Sequence, residues 1–182
     1  MNPGRLRIAF TPDTLFAGET HPECLRVLKE SVTLLRELGH EVVEAKPTFD
    51  RAALVRAYFL TVATGVAWFC EDTARQAGRK PRAADFEPAT WLLALIGWKT
   101  SAPELLAAQV AMQRAGRDIG AFFEGVDAFV TPTMARPPAA IGELALQPAE
   151  RTQMALLRRL PFKALLDVAI DKMGSGKLAY TP

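Results

Sequence analysis

The hydrophobic pattern near the start of the chain is that of a strand followed by an amphipathic helix. Residues 6–10 (LRIAF) read as a short buried strand, and apolar side chains then recur at helical spacing over residues 25–38. Gly39 is placed to end this helix, and residues 41–45 (EVVEA) read as a second strand. Because the joins are short, the pattern predicts a βαβ unit over residues 5–46 with parallel strands.

A helical region is predicted over residues 50–123. Asp50 is the expected N-cap of its first helix, and Pro88 opens a second helix that is so apolar that we expect it to be largely buried. The third helix opens on Ser101-Ala102-Pro103-Glu104, which has the form of a capping box. A similar box, Thr20-His21-Pro22-Glu23, is predicted to open the helix of the βαβ unit.

A third strand is predicted over residues 126–130, at the start of a strand and proline loop that extends to residue 142. The segment 149–182 reads as helices followed by a glycine-containing tail. We expect the three strands to share one sheet. The predicted fold class is therefore α/β, with a mixed, mostly parallel sheet flanked by helices, in a single partial domain over residues 1–182.

Composition and charge exclude several classes of protein. Of 182 residues, 49% are hydrophobic and 23% charged, as in a globular domain. The 22 basic and 20 acidic residues give a net charge of +2 without a basic cluster, so no nucleic-acid partner is expected. The most apolar run, residues 91–98, is too short to span a bilayer, and no signal segment follows Met1. Two cysteines form no disulfide or metal pattern, so we expect a cytoplasmic protein that binds no metal.

Three patterns that could carry chemistry fail on inspection. Gly174-Ser175-Gly176-Lys177 suggests a phosphate loop, but Asp171 and Leu178 stand where glycine and Ser or Thr are needed. Neither histidine stands where it would activate a cysteine, and the Gly-x-Ser-x-Gly elbow of serine hydrolases does not occur. The residue pattern alone therefore indicates no active site.

Two groups of residues are candidates for a binding pocket. Thr131 and Thr133 follow the third strand, and open α/β sheets bind ligands at the carboxyl ends of their strands. An ordinary strand-ending turn explains this Thr-Pro-Thr sequence equally well. The second group contains apolar residues that line either a pocket or the core: Trp68, Cys70, Trp91 and Trp98.

Taken in order, these segments resemble the amidase signature family of amide hydrolases. The resemblance is carried by the LRIAFTPD strand and turn, by the helix that closes in ELGHEV, and above all by FFEGVDAFVTPTMARPPA at residues 122–139. It covers roughly residues 5–182. In that family, the Thr-Pro-Thr loop lies beside the substrate channel, which favours a pocket role for Thr131 and Thr133.

The pattern of the family also includes catalytic residues that this sequence lacks. Family members cut amide bonds with a serine nucleophile, a second serine held by a cis peptide, and a lysine. The Gly/Ser-rich segment that carries these serines does not occur here, so no residue of the chain is predicted to be catalytic. We expect an amidase-family protein without cofactor that supplies substrate-pocket and scaffold elements. The chain alone is predicted to be inactive on small-molecule amides.

An alternative is a non-catalytic α/β binding module, or half of a split protein that assembles with an amino-terminal catalytic polypeptide. If the chain is part of a larger enzyme, the face that met the missing catalytic half is expected to be apolar and exposed, with self-association, or stable folding only beside an amino-terminal partner. The helix at residues 91–98 and the aromatic side chains Phe59, Trp68 and Phe69 are the expected contributors.

Overall fold

A computed structural model describes residues 4–13 and 19–143 of the chain. In chain order, the described elements are β1 (Arg7–Phe10), α1 (Pro22–Glu37), β2 (Glu41–Glu44), α2 (Arg51–Gln76), a short 3-10 helix (Ala83–Asp85), α3 (Pro88–Lys99), α4 (Ala102–Phe122) and β3 (Ala128–Val130). The predicted helices and tail of segment 149–182 lie outside the described residues.

The chain divides into two compact units. Among the described residues, the first unit comprises 4–13, 19–51 and 114–143, and the second comprises 52–113. Nothing in this division tests the predicted single domain, which stays a prediction.

The first unit is built on a parallel sheet with strand order β2-β1-β3. Ile8 of β1 pairs with Val42 of β2 on one side and with Ala128 of β3 on the other. The three strands therefore share one sheet, as the sequence predicts. Asp127 fixes the start of β3 because its carboxylate accepts a hydrogen bond from the Arg7 amide at 2.7 Å.

Helices cover both faces of this sheet. On one face, Ile8 and Val42 are buried against Leu28 and Val32 of α1. Phe129 lies between two residues that pack toward α1, so its side chain projects to the other face. There its ring meets that of Phe122 at the end of α4, with centroids 5.3 Å apart. The predicted α/β class, a parallel sheet flanked by helices, is confirmed.

The end of α1 agrees with the prediction, and its start does not. Gly39 follows the helix with φ = +91°, a conformation that glycine adopts without strain. At the start, however, the N-cap is His21, whose Nδ1 accepts a hydrogen bond from the Glu23 amide at 3.2 Å. The predicted Thr20 cap is wrong because its hydroxyl donates instead to the Pro12 carbonyl at 2.6 Å.

Helix α3 lies unusually close to α2 in the second unit. Gly97 of α3 is buried, and a Cβ atom there would fall 2.1 Å from the Ala63 carbonyl oxygen and 2.7 Å from the Ala67 Cβ. Cys70 and Ala94 are fully buried in the same core. Small side chains on facing turns thus allow the two backbones to approach.

Helix α2 has one further property of note. Among the described helices, it alone is long and apolar enough to cross a membrane. Core helices of globular proteins also meet this test. The buried side chains of α2 recur at helical spacing, as expected for a core helix: Ala57, Phe59, Leu60, Ala63, Ala67, Cys70 and Ala74.

Candidate functional site

The three parallel strands end in a shared sequence feature. Beyond each strand comes a polar residue followed by proline: Thr11-Pro12 after β1, Lys46-Pro47 after β2 and Thr131-Pro132 after β3. Because parallel strands place their carboxyl ends at one edge of a sheet, these dipeptides are brought together. Open α/β sheets bind ligands at this edge.

Backbone hydrogen bonds hold the loops of this edge in register. The Thr11 amide donates to the Val130 carbonyl at 3.2 Å, and the Ala45 amide donates to the Phe10 carbonyl at 3.0 Å. The loop after β3 is tied to the start of α1 by a bond from the His21 amide to the Ala135 carbonyl at 2.7 Å. Proline adds rigidity, since its ring fixes φ.

A pocket of about 120 Å³ opens between these strand ends, and we call it the carboxyl-edge pocket. Its walls combine polar, charged and aromatic side chains: Thr11, Asp13, Lys46, Pro47, Phe49, Arg51, Phe129, Thr131, Pro132 and Ala135. All three strand ends contribute. The size suits a small organic group rather than a large ligand.

Charge in the pocket centres on Asp13. Its carboxylate accepts a hydrogen bond from the Lys46 ammonium, and this bond is the main reason that the pKa of Asp13 lies below its usual range. The positive charges of Lys46 and Arg51 lower this pKa further. Asp13 is therefore an ionised carboxylate that already has its partner.

Thr131 and Thr133 stand at different places around the loop after β3. Thr131 lines the carboxyl-edge pocket and also borders a wider groove, of about 410 Å³, between this loop and α1. Thr133 lines only the groove, beside Cys24 and Pro137. The structure thus brings Thr131 to the strand-end pocket. That either threonine binds substrate stays a prediction.

The apolar candidates belong to the second unit. Trp91 stacks on Phe86 with ring centroids 6.0 Å apart and meets Trp98 edge-on at 5.0 Å. Trp98 packs against the core that contains Cys70, whose thiol is fully buried and whose pKa is raised by that burial. Trp68 is apart from this group, with 63% of its surface exposed.

Trp98 carries a further feature. Its indole Nε1 is buried and has no hydrogen-bond partner in the described part of the chain. Such a donor is uncommon, because an unsatisfied buried N–H costs about 1–3 kcal/mol. The aromatic cluster of Phe86, Trp91 and Trp98 is thus either part of the core, with one unsatisfied donor, or the wall of a pocket in which a ligand would accept the Trp98 N–H. The substrate-wall roles of Trp68, Cys70, Trp91 and Trp98 stay predictions.

Sequence reasoning missed the charged part of the pocket. Asp13, Lys46 and Arg51 form no motif, and Asp13 is far along the chain from the other two. The polar-proline dipeptide after each strand is the signal that could have found two of them. Lys46 belongs to one of these dipeptides, and Asp13 directly follows another. Within residues 4–13 and 19–143, no group of three or more His, Cys, Asp or Glu side chains could hold a metal ion.

Comparison with known proteins identifies the family. The family model described as Amidase matches residues 2–173. Lipoamidase of Enterococcus faecalis is 28% identical over 154 residues, which are 84% of this chain and 21% of that protein. AmiB2 of Mycobacterium tuberculosis, provisionally named an amidase, is 28% identical over 165 residues, or 88% of this chain and 33% of that protein. The chain thus spans only a fifth to a third of these relatives.

A solved structure shows the same fold. The 6-aminohexanoate cyclic dimer hydrolase superposes with a TM-score of 0.72 and 22% identity. The match covers 93% of this chain and 36% of the hydrolase. The structure of that enzyme complexed with substrate matches equally well.

Proposed function

Since the chain belongs to the amidase family, we propose that it forms part of an amide hydrolase. In this proposal it supplies the scaffold and one wall of the substrate pocket. The reaction is hydrolysis of a carbon–nitrogen amide bond by acyl transfer to a serine, followed by attack of water on the acyl-enzyme.

The observation that carries this proposal is the position of Thr131. It directly follows β3 and lines a pocket that all three parallel strands build at their carboxyl edge. A binding site is expected at that edge from the topology alone. The family match over residues 2–173 then connects the site to amide chemistry.

In this proposal, the serine nucleophile and the lysine that acts with it are not residues of this chain. The printed sequence has no Gly/Ser-rich segment with paired serines, so an amino-terminal polypeptide would bring the serines and the lysine. Backbone amides of that polypeptide would stabilise the tetrahedral oxyanion. The residues of this chain would hold the substrate in position and keep water from the reacting bond.

The substrate class is a small linear or cyclic amide. The names of lipoamidase and 6-aminohexanoate cyclic dimer hydrolase support amide bonds in general. We place the reaction in the cytoplasm, without metal or organic cofactor.

A second candidate function, a binding module that docks on a partner or on itself, is favoured by exposed apolar side chains. Trp68 and Phe69 of α2 are 63% and 53% exposed. Leu106 and Val110 are also exposed on α4. Phe59 does not contribute to such a face, contrary to the sequence-based expectation, because it is buried in the core.

Assays of the isolated chain and of a reconstituted complex test the proposal. The chain alone should not hydrolyse small linear or cyclic amides. Mixing it with a polypeptide that carries the amino-terminal Gly/Ser-rich segment and lysine of a relative should restore turnover. In that complex, Thr131→Val should lower kcat/KM about 3- to 10-fold, the value of one neutral hydrogen bond. Thr131→Ser, which keeps the hydroxyl, is the matched control.

Equal activity of the Thr131→Val and wild-type complexes would show that the Thr131 hydroxyl does not bind the substrate. A chain that stays monomeric and gains no activity with any amino-terminal polypeptide would refute the shared-site proposal.

A further inference from the structure

The carboxyl-edge pocket contains more positive than negative charge. Lys46 and Arg51 are cationic, and Asp13 is the one acidic side chain among the described residues that line it. The hydrogen bond between Lys46 and Asp13 largely cancels those two charges. One positive charge, that of Arg51, remains in excess at the pocket wall.

The Arg51 side chain lines the pocket without hydrogen-bonding the Asp13 carboxylate. Its effect on Asp13 is Coulombic only, whereas Lys46 holds the hydrogen-bonding position on that carboxylate. The guanidinium fork of Arg51 is therefore not taken up by Asp13. A planar fork of this kind binds a carboxylate through two parallel hydrogen bonds.

The neutral residues of the pocket complete a site for an acid with an apolar end. Thr11 is only 7% exposed, and its hydroxyl oxygen accepts a hydrogen bond from the Asp13 amide at 3.3 Å. The hydroxyl can therefore still donate its proton to a ligand oxygen. Phe49 and Phe129 provide apolar surface for a short hydrocarbon chain.

We propose that the carboxyl-edge pocket binds the carboxylate of a short aliphatic acid, with Arg51 as the principal charged contact and Thr11 as a hydroxyl donor. The inference goes beyond amide hydrolysis, because it concerns binding by this chain alone. An amine is a poorer ligand, since Asp13, the only acidic group among the described residues of the pocket, is already paired with Lys46. A neutral amide can occupy the same pocket but makes no use of the excess charge, so it should bind more weakly than the acid.

Nuclear magnetic resonance of the ¹⁵N-labelled full chain tests this site. Butyrate is titrated at constant ionic strength, with butyramide and butylamine as the neutral and cationic counterparts. Butyrate should cause saturable shifts of the Thr11, Arg51 and Thr131 amides at a lower concentration than butyramide does, whereas butylamine should cause none. Arg51→Gln should raise the Kd for butyrate at least fivefold. Arg51→Lys, which keeps the charge but loses the fork, should raise it about two- to threefold.

The matched control is Arg5→Gln. Arg5 is also an exposed cation, but it precedes β1 and so lies toward the opposite edge of the sheet. Its substitution should leave the Kd for butyrate within twofold of the wild-type value. Three results would overturn the proposal: no saturable shift with butyrate, equal shifts with butylamine, or equal weakening by Arg5→Gln and Arg51→Gln. Each readout is independent of amide hydrolysis, so failure here is distinct from failure of the proposed function.

Discussion

Replacement of Gly97 by alanine should separate α3 from α2. The added Cβ would lie 2.1 Å from the Ala63 carbonyl oxygen, 2.7 Å from its carbonyl carbon and 2.7 Å from the Ala67 Cβ. Two of these atoms belong to the backbone, so no side-chain rotation relieves the contact. The helices must move apart by roughly 1 Å, since an unbonded carbon and oxygen need about 3 Å or more.

The expected magnitude follows from two opposing effects. Overpacking a close-packed core typically costs about 1–3 kcal/mol, and a clash against backbone belongs at the upper end of that range. Alanine in a helix interior is favoured over glycine by about 1 kcal/mol. We therefore expect Gly97→Ala to lower the free energy of unfolding by about 2 kcal/mol.

Gly65→Ala is the matched control, because it makes the same change in the interior of α2. A Cβ at Gly65 would have no atom within 4 Å, so the helix-propensity gain of up to about 1 kcal/mol should appear alone. Urea unfolding followed by circular dichroism measures both variants. If Gly97→Ala were as stable as Gly65→Ala, the close approach of α3 to α2 would be refuted.

Three further predictions concern charge, thiols and a helix cap. The pKa values of Asp13 and Asp85 are lowered mainly by hydrogen bonds from cationic side chains. The stability that these bonds contribute is therefore present above about pH 4 and is lost as the pH falls through the lowered pKa values. Unfolding measured over an acid titration checks this, and unchanged stability below pH 4 would contradict it. In the folded chain, Ellman's reagent should modify the half-buried Cys24 but not the buried Cys70, and two fast-reacting thiols would refute the burial of Cys70. Ser101→Ala should cost about 1 kcal/mol in urea unfolding because it removes the N-cap of α4, and Ser101→Asn should retain most of the stability.

The fold could largely be predicted because its signals are local and agree with one another. The capping box at Ser101 forms as predicted, with the Ser101 amide donating to the Glu104 carboxylate at 2.8 Å. The start of α1 could not be predicted from local sequence alone. Thr20 has the right chemistry for a cap, but its hydroxyl is engaged by Pro12, which the fold brings close. A tertiary contact thus overrides a local preference.

The candidate site could be predicted only in part. Thr131 directly follows an apolar, half-buried strand, so its position at the sheet edge is implied by the strand itself. Lys46 and Arg51 reach the same pocket from beyond β2, where spacing along the chain predicts no contact with Asp13. Which strands are neighbours, and hence which strand ends converge, is decided by tertiary pairing rather than by local sequence.

The central claim is that this chain supplies part of an amidase site and depends on another polypeptide for its nucleophile. The most direct measurement is product formation by the purified chain alone on a panel of small aryl and alkyl amides. We expect no turnover above the buffer rate, because a pocket wall cannot replace a positioned nucleophile and base. Turnover that persists through purification and disappears on Ser175→Ala would contradict the claim and place an active site within the chain itself.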